Sequence, residues 1–120
     1  MHILYVEDNL INLALMERVT NTRGYEITSC TTAEDAVDVL EKLPVDIIIT
    51  DIRLAGTMDG ISFTHLLRKN GIECPILVTT AYEAMYSRAD AIEAGCDEFL
   101  TKPLSVRKIL SVLAHYENAL

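Results

Sequence analysis

Hydrophobic and polar positions alternate between two kinds of pattern along this chain. Short apolar runs occur five times, as HILYV (2–6), YEITSC (25–30), DIIIT (46–50), PILVTT (75–80) and DEFLT (97–101). Their length, their β-branched content and their lack of strict alternation predict strands buried on both faces. Between them the apolar positions recur at helical spacing. Ile11, Ala14, Leu15 and Val19 define one stripe, ending near Gly24. Ala36, Val37, Leu40 and Leu43 define a second, behind a capping box expected at Thr31 and Glu34. A third helix follows Gly60 and stops at the Asn70-Gly71 pair. A fourth, from about Glu83 to Gly95, has a thin stripe of Met85, Ala89 and Ile92, and the last carries Val106, Ile109, Leu110 and Leu113. No internal repeat, low-complexity tract or linker interrupts the series.

Strands alternating with helices predict right-handed βαβ units on a parallel sheet. The fold class expected is α/β, a doubly wound five-stranded parallel sheet with helices on both faces. The first and third strands are the most apolar and belong in the middle. In such sheets sites form at the carboxyl ends of the strands. Those ends carry Glu7-Asp8, Asp51, Thr79-Thr80 and Lys102-Pro103, all at one edge.

If the first and third strands are neighbours, three carboxylates converge. A like-charge pair 4 Å apart costs roughly 4 kcal/mol at an effective dielectric of 20. A hard cation with oxygen ligands and retained waters offsets that cost better than raised pKa values do, and Mg²⁺ suits it. Lys102 and a threonine hydroxyl complete a set of groups for phosphoryl oxygens. Phosphoryl transfer needs mainly positioning and charge neutralisation, and a carboxylate can be the nucleophile, giving an acyl phosphate. Asp51 is the expected phosphoacceptor.

Composition narrows the function classes. The net charge is −8, which repels phosphate backbones and argues against direct nucleic-acid binding. Cys30, Cys74 and Cys96 stand singly and read as small buried hydrophobes in a reducing compartment. No apolar run approaches ~18 residues, so no membrane span is expected. Met1 leads straight into HILYV without a basic-then-apolar leader, so the expected location is cytoplasmic. His2, His65 and His115 lack ligand or triad spacing and are expected to be structural or exposed.

In order along the whole chain, YVEDN (5–9), IIITDIRL (47–54), MDG (58–60), TTAY (79–82) and FLTKPL (99–104) resemble the receiver (CheY-like) domains of bacterial two-component response regulators. The resemblance implies strand order 2-1-3-4-5, bound Mg²⁺ (or Mn²⁺ in its place) and phosphoryl transfer from a sensor histidine kinase or phosphotransfer protein. It implies that Asp51 is phosphorylated, that Asp8 and Asp51 ligate the metal, that Glu7 holds it through water, and that Arg53 offers its backbone carbonyl. It implies that Thr80 is the switch hydroxyl, Lys102 the phosphate-binding lysine and Phe99 the aromatic that turns inward on activation. It also implies a cis Lys102-Pro103 peptide. Arg53 and Tyr82 stand where the family tunes water access to the acyl phosphate, so a bulky Tyr82 is expected to slow phosphoryl loss. Asp8 or Asn9 is expected to cap the first helix as well.

Two departures bear on the loop after Asp51. Ala55 stands where the family commonly has proline, and the stretch to Gly60 is one residue longer. Three other readings fare less well. A haloacid-dehalogenase-like phosphatase needs a second Asp at the position of Arg53. A flavodoxin-like cofactor binder needs a Ser/Thr/Gly-rich loop where this chain has EDN, which repels phosphate. The runner-up is a pseudo-receiver, a docking module independent of phosphorylation. The sequence therefore reads as one receiver domain, 1–120, without an output domain. It is expected to be a switch rather than a turnover enzyme. Its output surface of fourth helix, fifth strand and fifth helix would address a downstream protein or a second copy of the chain.

Overall fold

The structure is a computed structural model, and it describes residues 1–81 and 88–120. Tyr82, Glu83 and Met85, singled out above, lie outside the described residues. Five strands, β1 (His2–Val6), β2 (Glu26–Cys30), β3 (Ile47–Asp51), β4 (Ile76–Thr80) and β5 (Glu98–Thr101), form one parallel sheet in the order β2-β1-β3-β4-β5. The interior strands β3 and β4 are buried throughout, as unbroken apolar runs require, while the edge strands are partly exposed.

Among the described residues five helices cover the sheet: α1 (Leu10–Asn21), α2 (Ala33–Lys42), α3 (Gly60–Lys69), α4 (described over Arg88–Ala94) and α5 (Val106–Asn118). Strand alternation splits the core in two. Leu4, Val6, Ile48, Ile76 and Val78 pack beneath α2, α3 and α4 with Phe63, Leu67 and Phe99. Ile3, Tyr5, Ile47, Ile49 and Leu77 pack beneath α1 and α5 with Leu13, Met16, Ile109 and Leu113.

Several helix faces differ from expectation. In α1 the buried set is Leu13, Met16, Val19 and Thr20, while Ile11 is 80% exposed and Ala14 and Leu15 also face outward. Val19 is buried as expected, but the segment LINLALM is apolar on nearly every side, so two faces compete for the inward side. In α2, Ala36 is buried and Val37 and Leu40 pack against the core, but Leu43 is the exposed C-cap. Its N-cap is Thr32, whose hydroxyl accepts from the Asp35 amide, one residue later than the expected box. The described part of α4 buries Ala91 and Ala94 rather than Ala89 and Ile92. In α5, Ile109, Val112 and Leu113 face inward and Val106 does not. Asn9 caps α1 through the Asn12 amide. The expected stop of α3 at Asn70-Gly71 is present, with Gly71 at φ +85°.

Two details position the site. Gly60 opens α3 directly against the end of β3, and its amide donates to the Ile52 carbonyl at 2.8 Å. The longer loop between them is tied sideways by an isolated parallel bridge from Ala55 to Thr32. None of the helices is long and apolar enough to cross a membrane, among the described residues.

Candidate functional site

The β1–β3 register aligns Ile3 with Ile47 and Tyr5 with Ile49. Continued upward, it brings Glu7 beside Asp51 on the α1/α5 side of the sheet. Glu7, Asp8 and Asp51 each present a carboxylate oxygen, and these atoms lie within 4.8 Å of one another. Glu7 is 1% exposed and Asp51 9%, whereas Asp8 is open to solvent. Such a grouping of hard oxygen donors, one of them solvent-facing, fits a divalent cation that keeps part of its water shell.

Lys102 answers the two buried acids. Its ammonium donates to Glu7 Oε2 at 2.5 Å and to Asp51 Oδ2 at 2.9 Å. Its backbone amide donates to the Thr80 carbonyl at 2.8 Å, anchoring the turn beyond β5 to the end of β4. The Lys102-Pro103 peptide is cis, as the resemblance implied. The remaining Asp51 oxygen, Oδ1, accepts from the Ile52 amide at 2.8 Å. Burial pushes the Asp51 pKa up. The Lys102 bond and charge pull it back, Glu7 adds to the rise and the Ile52 amide opposes it, and the balance is upward. Burial lowers the Lys102 pKa, but the bonds and charges of Glu7 and Asp51 together outweigh it, so Lys102 is held above the ordinary lysine range.

A cleft of about 310 Å³ opens over these groups, lined by Glu7, Asp8, Asn9, Asn12, Asp51, Arg53, Ala81 and Lys102. Arg53 is thus at the mouth of the site. Thr80 is fully buried, one residue before the cleft-lining Ala81. The register places Val78 beside Phe99 and Thr80 beside Thr101, so Thr80 and Phe99 share the face toward α4, and Thr79 takes the opposite face. Phe99 is already turned inward, 2% exposed, with the Arg88 guanidinium 5.3 Å from its ring centroid, so the inward turn that the resemblance reserved for activation is present in this structure. The site thus gathers Glu7, Asp8, Asp51, Arg53 and Lys102 at one cleft, with Thr80 and Phe99 behind it.

Two neighbours went unread in the sequence. Asn12 lines the cleft from the first turn of α1. Tyr5 donates its hydroxyl to Glu7 Oε2 at 3.4 Å. Burial, then the charge of Glu7, holds that phenol well above the ordinary tyrosine range, so it is a neutral donor. The period-2 rule held the signal for Tyr5, because residues two apart on a strand point the same way.

An acidic cleft at the carboxyl end of a 2-1-3-4-5 sheet, bridged by a lysine, defines a class of phosphoryl-handling α/β domains. Residues 3–114 match the response regulator receiver domain family, and the chain belongs to it. It is a receiver domain of two-component signalling. The sensor histidine kinase RcsC of Escherichia coli is 31% identical over 97% of this chain, which spans 12% of that protein. The transcriptional regulatory protein PhoP of Escherichia coli is 30% identical over 92% of this chain and 49% of its own length. The chain therefore spans half or less of these relatives. The receiver domain of the Pseudomonas aeruginosa sensor histidine kinase PA1611, solved with magnesium in its active-site cleft, superposes with a TM-score of 0.85 at 32% identity, covering 96% of this chain and 95% of that one.

Proposed function

We propose that this domain is a phosphoacceptor switch in which Asp51 takes a phosphoryl group from a phosphohistidine of a sensor histidine kinase or phosphotransfer protein. The carrying observation is the arrangement around Lys102, whose ammonium lies 2.9 Å from Asp51 and 2.5 Å from Glu7 in the acidic cleft. An Asp51 carboxylate oxygen attacks phosphorus, the phosphorus–nitrogen bond breaks, and its electron pair stays on the imidazole. The product is an acyl phosphate on Asp51. A magnesium ion held by Asp8, Asp51, the Arg53 carbonyl and, through water, Glu7 would neutralise the charge gathering on the phosphoryl oxygens. Lys102 follows one of those oxygens, and the Thr80 hydroxyl donates to another.

The domain is a switch rather than a turnover enzyme. The displacement of Thr80 opens space beside Phe99, on the face shared with α4. That change biases the surface of α4, β5 and α5, which would contact a downstream protein or a second copy of the chain. The acidic charge disfavours direct binding to nucleic acid, and a cytoplasmic location fits a kinase-fed relay. The test is intact-mass spectrometry after incubation with acetyl phosphate and Mg²⁺. One added phosphoryl group on wild type, absent from Asp51→Asn and absent with EDTA, is the expected result. No adduct, even when a phosphohistidine donor is supplied, would leave a phosphorylation-independent docking module.

A further inference from the structure

Among the described residues Glu7 Oε2 is served by two donors, Lys102 Nζ at 2.5 Å and the Tyr5 hydroxyl at 3.4 Å. The other oxygen, Oε1, accepts from the Asn9 amide at 3.2 Å. Glu7 is almost fully buried, and a buried carboxylate that loses its donors is costly. Lys102 cannot serve every partner equally. Its second bond goes to Asp51 Oδ2, the group that phosphorylation would turn from a single carboxylate charge into an acyl phosphate with up to two charges on three strong acceptor oxygens. An ammonium drawn to those oxygens leaves Glu7 Oε2 behind.

We propose that Tyr5 is a positioning residue for Glu7, whose hydroxyl takes over the Glu7 carboxylate when Lys102 leaves it for a phosphoryl group on Asp51. The proposal rests on the reading of Asp51 and Lys102 given above and extends it to how the empty and loaded sites exchange partners. The Tyr5 bond is long while the ammonium holds the shared oxygen, and it has room to shorten. Tyr5 and Lys102 both border a cavity of about 340 Å³ between α1 and the start of α5, with Leu15, Met16, Leu104 and Ile109 on its walls. A tyrosine ring and a lysine stem beside open space can shift without displacing close-packed core atoms. Elsewhere Tyr5 fills the core like any aromatic, packed in the layer that includes Leu13 and Ile109. Its hydroxyl is the separable part.

Two measurements test this. The first needs neither metal nor phosphate. In EDTA, Tyr5→Phe keeps the ring and is expected to change the melting temperature by about a degree or less while Lys102 is present. In a Lys102→Met background the same change is expected to cost about 3 °C or more, because the hydroxyl is then the side-chain donor left to Oε2 among the described residues. The second follows phosphorylation by acetyl phosphate with intact-mass spectrometry. Tyr5→Phe is expected to shorten the life of the Asp51 adduct, or lower its yield, by roughly tenfold. Adding Tyr5→Phe to Glu7→Gln is expected to change nothing further, since the glutamine oxygen can keep the Asn9 amide while its nitrogen, a donor itself, takes the place of Oε2 beside Tyr5. Additive melting losses, or an adduct that behaves as wild type, would overturn the proposal. A wild-type protein that takes no phosphoryl group on Asp51 would overturn the reading beneath it and the exchange together, whatever the melting curves give.

Discussion

The first residue of α3 packs its Cα onto the backbone of the proposed phosphoacceptor: a methyl group placed on Gly60 would come within 2.1 Å of the Asp51 carbonyl oxygen. No rotamer relieves such a contact, because the obstacle is main chain. Gly60 also donates to the Ile52 carbonyl, so the start of α3 and the end of β3 are fixed to one another. Gly60→Ala therefore has to push β3 and α3 apart. The expected cost is about 3 kcal/mol, in the range of a severe overpacking change, read as a lower urea midpoint with the slope unchanged. Because the displaced atoms belong to Asp51, any folded fraction should also label more slowly with acetyl phosphate.

Lys102 is the cation that two buried acids share, so its removal leaves uncompensated charge. Lys102→Met is expected to lose about 3 kcal/mol at neutral pH, the scale for breaking one side of a buried pair. The pH dependence identifies the cause. The Asp51 pKa already lies above its unfolded value, and without the ammonium it moves further up. A carboxyl so shifted favours folding at low pH and loses that contribution as pH rises through its folded value. The deficit of the variant should thus be largest near pH 7 and shrink as pH falls toward the ordinary carboxylate range. Lys102 itself has a raised pKa, so in the wild type its contribution is present below the unfolded lysine value and is lost only as strongly alkaline pH passes the folded one. Urea melts of both proteins across pH 4 to 8 measure this. Parallel curves would show that only packing had been lost.

The succession of strands along the chain and the edge that carries the chemistry were legible in the sequence, while the sheet order β2-β1-β3-β4-β5 followed from the family resemblance. Parallel strands buried on both faces leave an unmistakable run such as Ile47-Ile48-Ile49, and their carboxyl ends then follow from counting. Helix orientation was less legible. α1 offers Leu13 and Met16 on one side and Ile11, Ala14 and Leu15 on another, with Val19 compatible with both faces, and only the sheet beneath decides between them. The cap of α2 slipped by one residue because Thr31 and Thr32 are equally good acceptors by composition. Tyr5 was missed for a different reason. An aromatic in an apolar strand satisfies the core pattern by itself, so its hydroxyl asks no question until Glu7 is seen beside it.

The acidic cluster makes metal binding and stability linked quantities. Glu7, Asp8 and Asp51 repel one another in the metal-free domain, and Lys102 answers only two of them directly. Added Mg²⁺ should raise the melting temperature, by the equivalent of about 2.7 kcal/mol at a hundred times its dissociation constant. Asp51→Asn removes one charge of the cluster and the cost of burying it. In EDTA that variant should melt a few degrees above wild type at pH 7, with the advantage fading as pH falls and the wild-type carboxyl takes up its proton. In saturating Mg²⁺ the order should reverse or close, because the variant has lost a ligand. Differential scanning calorimetry with and without the ion reads both halves, and equal Mg²⁺ shifts in the two proteins would remove Asp51 from the proposed ligand set.

Arg68 holds together the edge of the sheet farthest from β2, and its geometry makes a prediction that charge alone does not. From the end of α3 its guanidinium donates to the carbonyls of Gly95, Ile72 and Cys74 and to Asp97 Oδ2, at 2.8–2.9 Å. Asp97 Oδ2 in turn accepts from the Ile76 amide at the start of β4. One planar fork therefore joins α3, the turn after α4 and the entries to β4 and β5. Gly95, at φ +112°, brings its Cα against the Arg68 stem, where a methyl group would sit 2.6 Å from Cγ. A lysine carries the same charge but cannot reach three carbonyls and a carboxylate from one rigid plane. Arg68→Lys is expected to recover little of the loss in Arg68→Ala, about 2–4 kcal/mol for several bonds from a charged donor. The pair Arg68→Ala and Asp97→Ala should be strongly non-additive, since each removes the partner of the other. Hydrogen exchange locates the effect: the Ile76 and Cys96 amides should lose protection in these variants while the β1 and β2 amides keep theirs. Uniform loss across the sheet would mean that Arg68 contributes only to global stability.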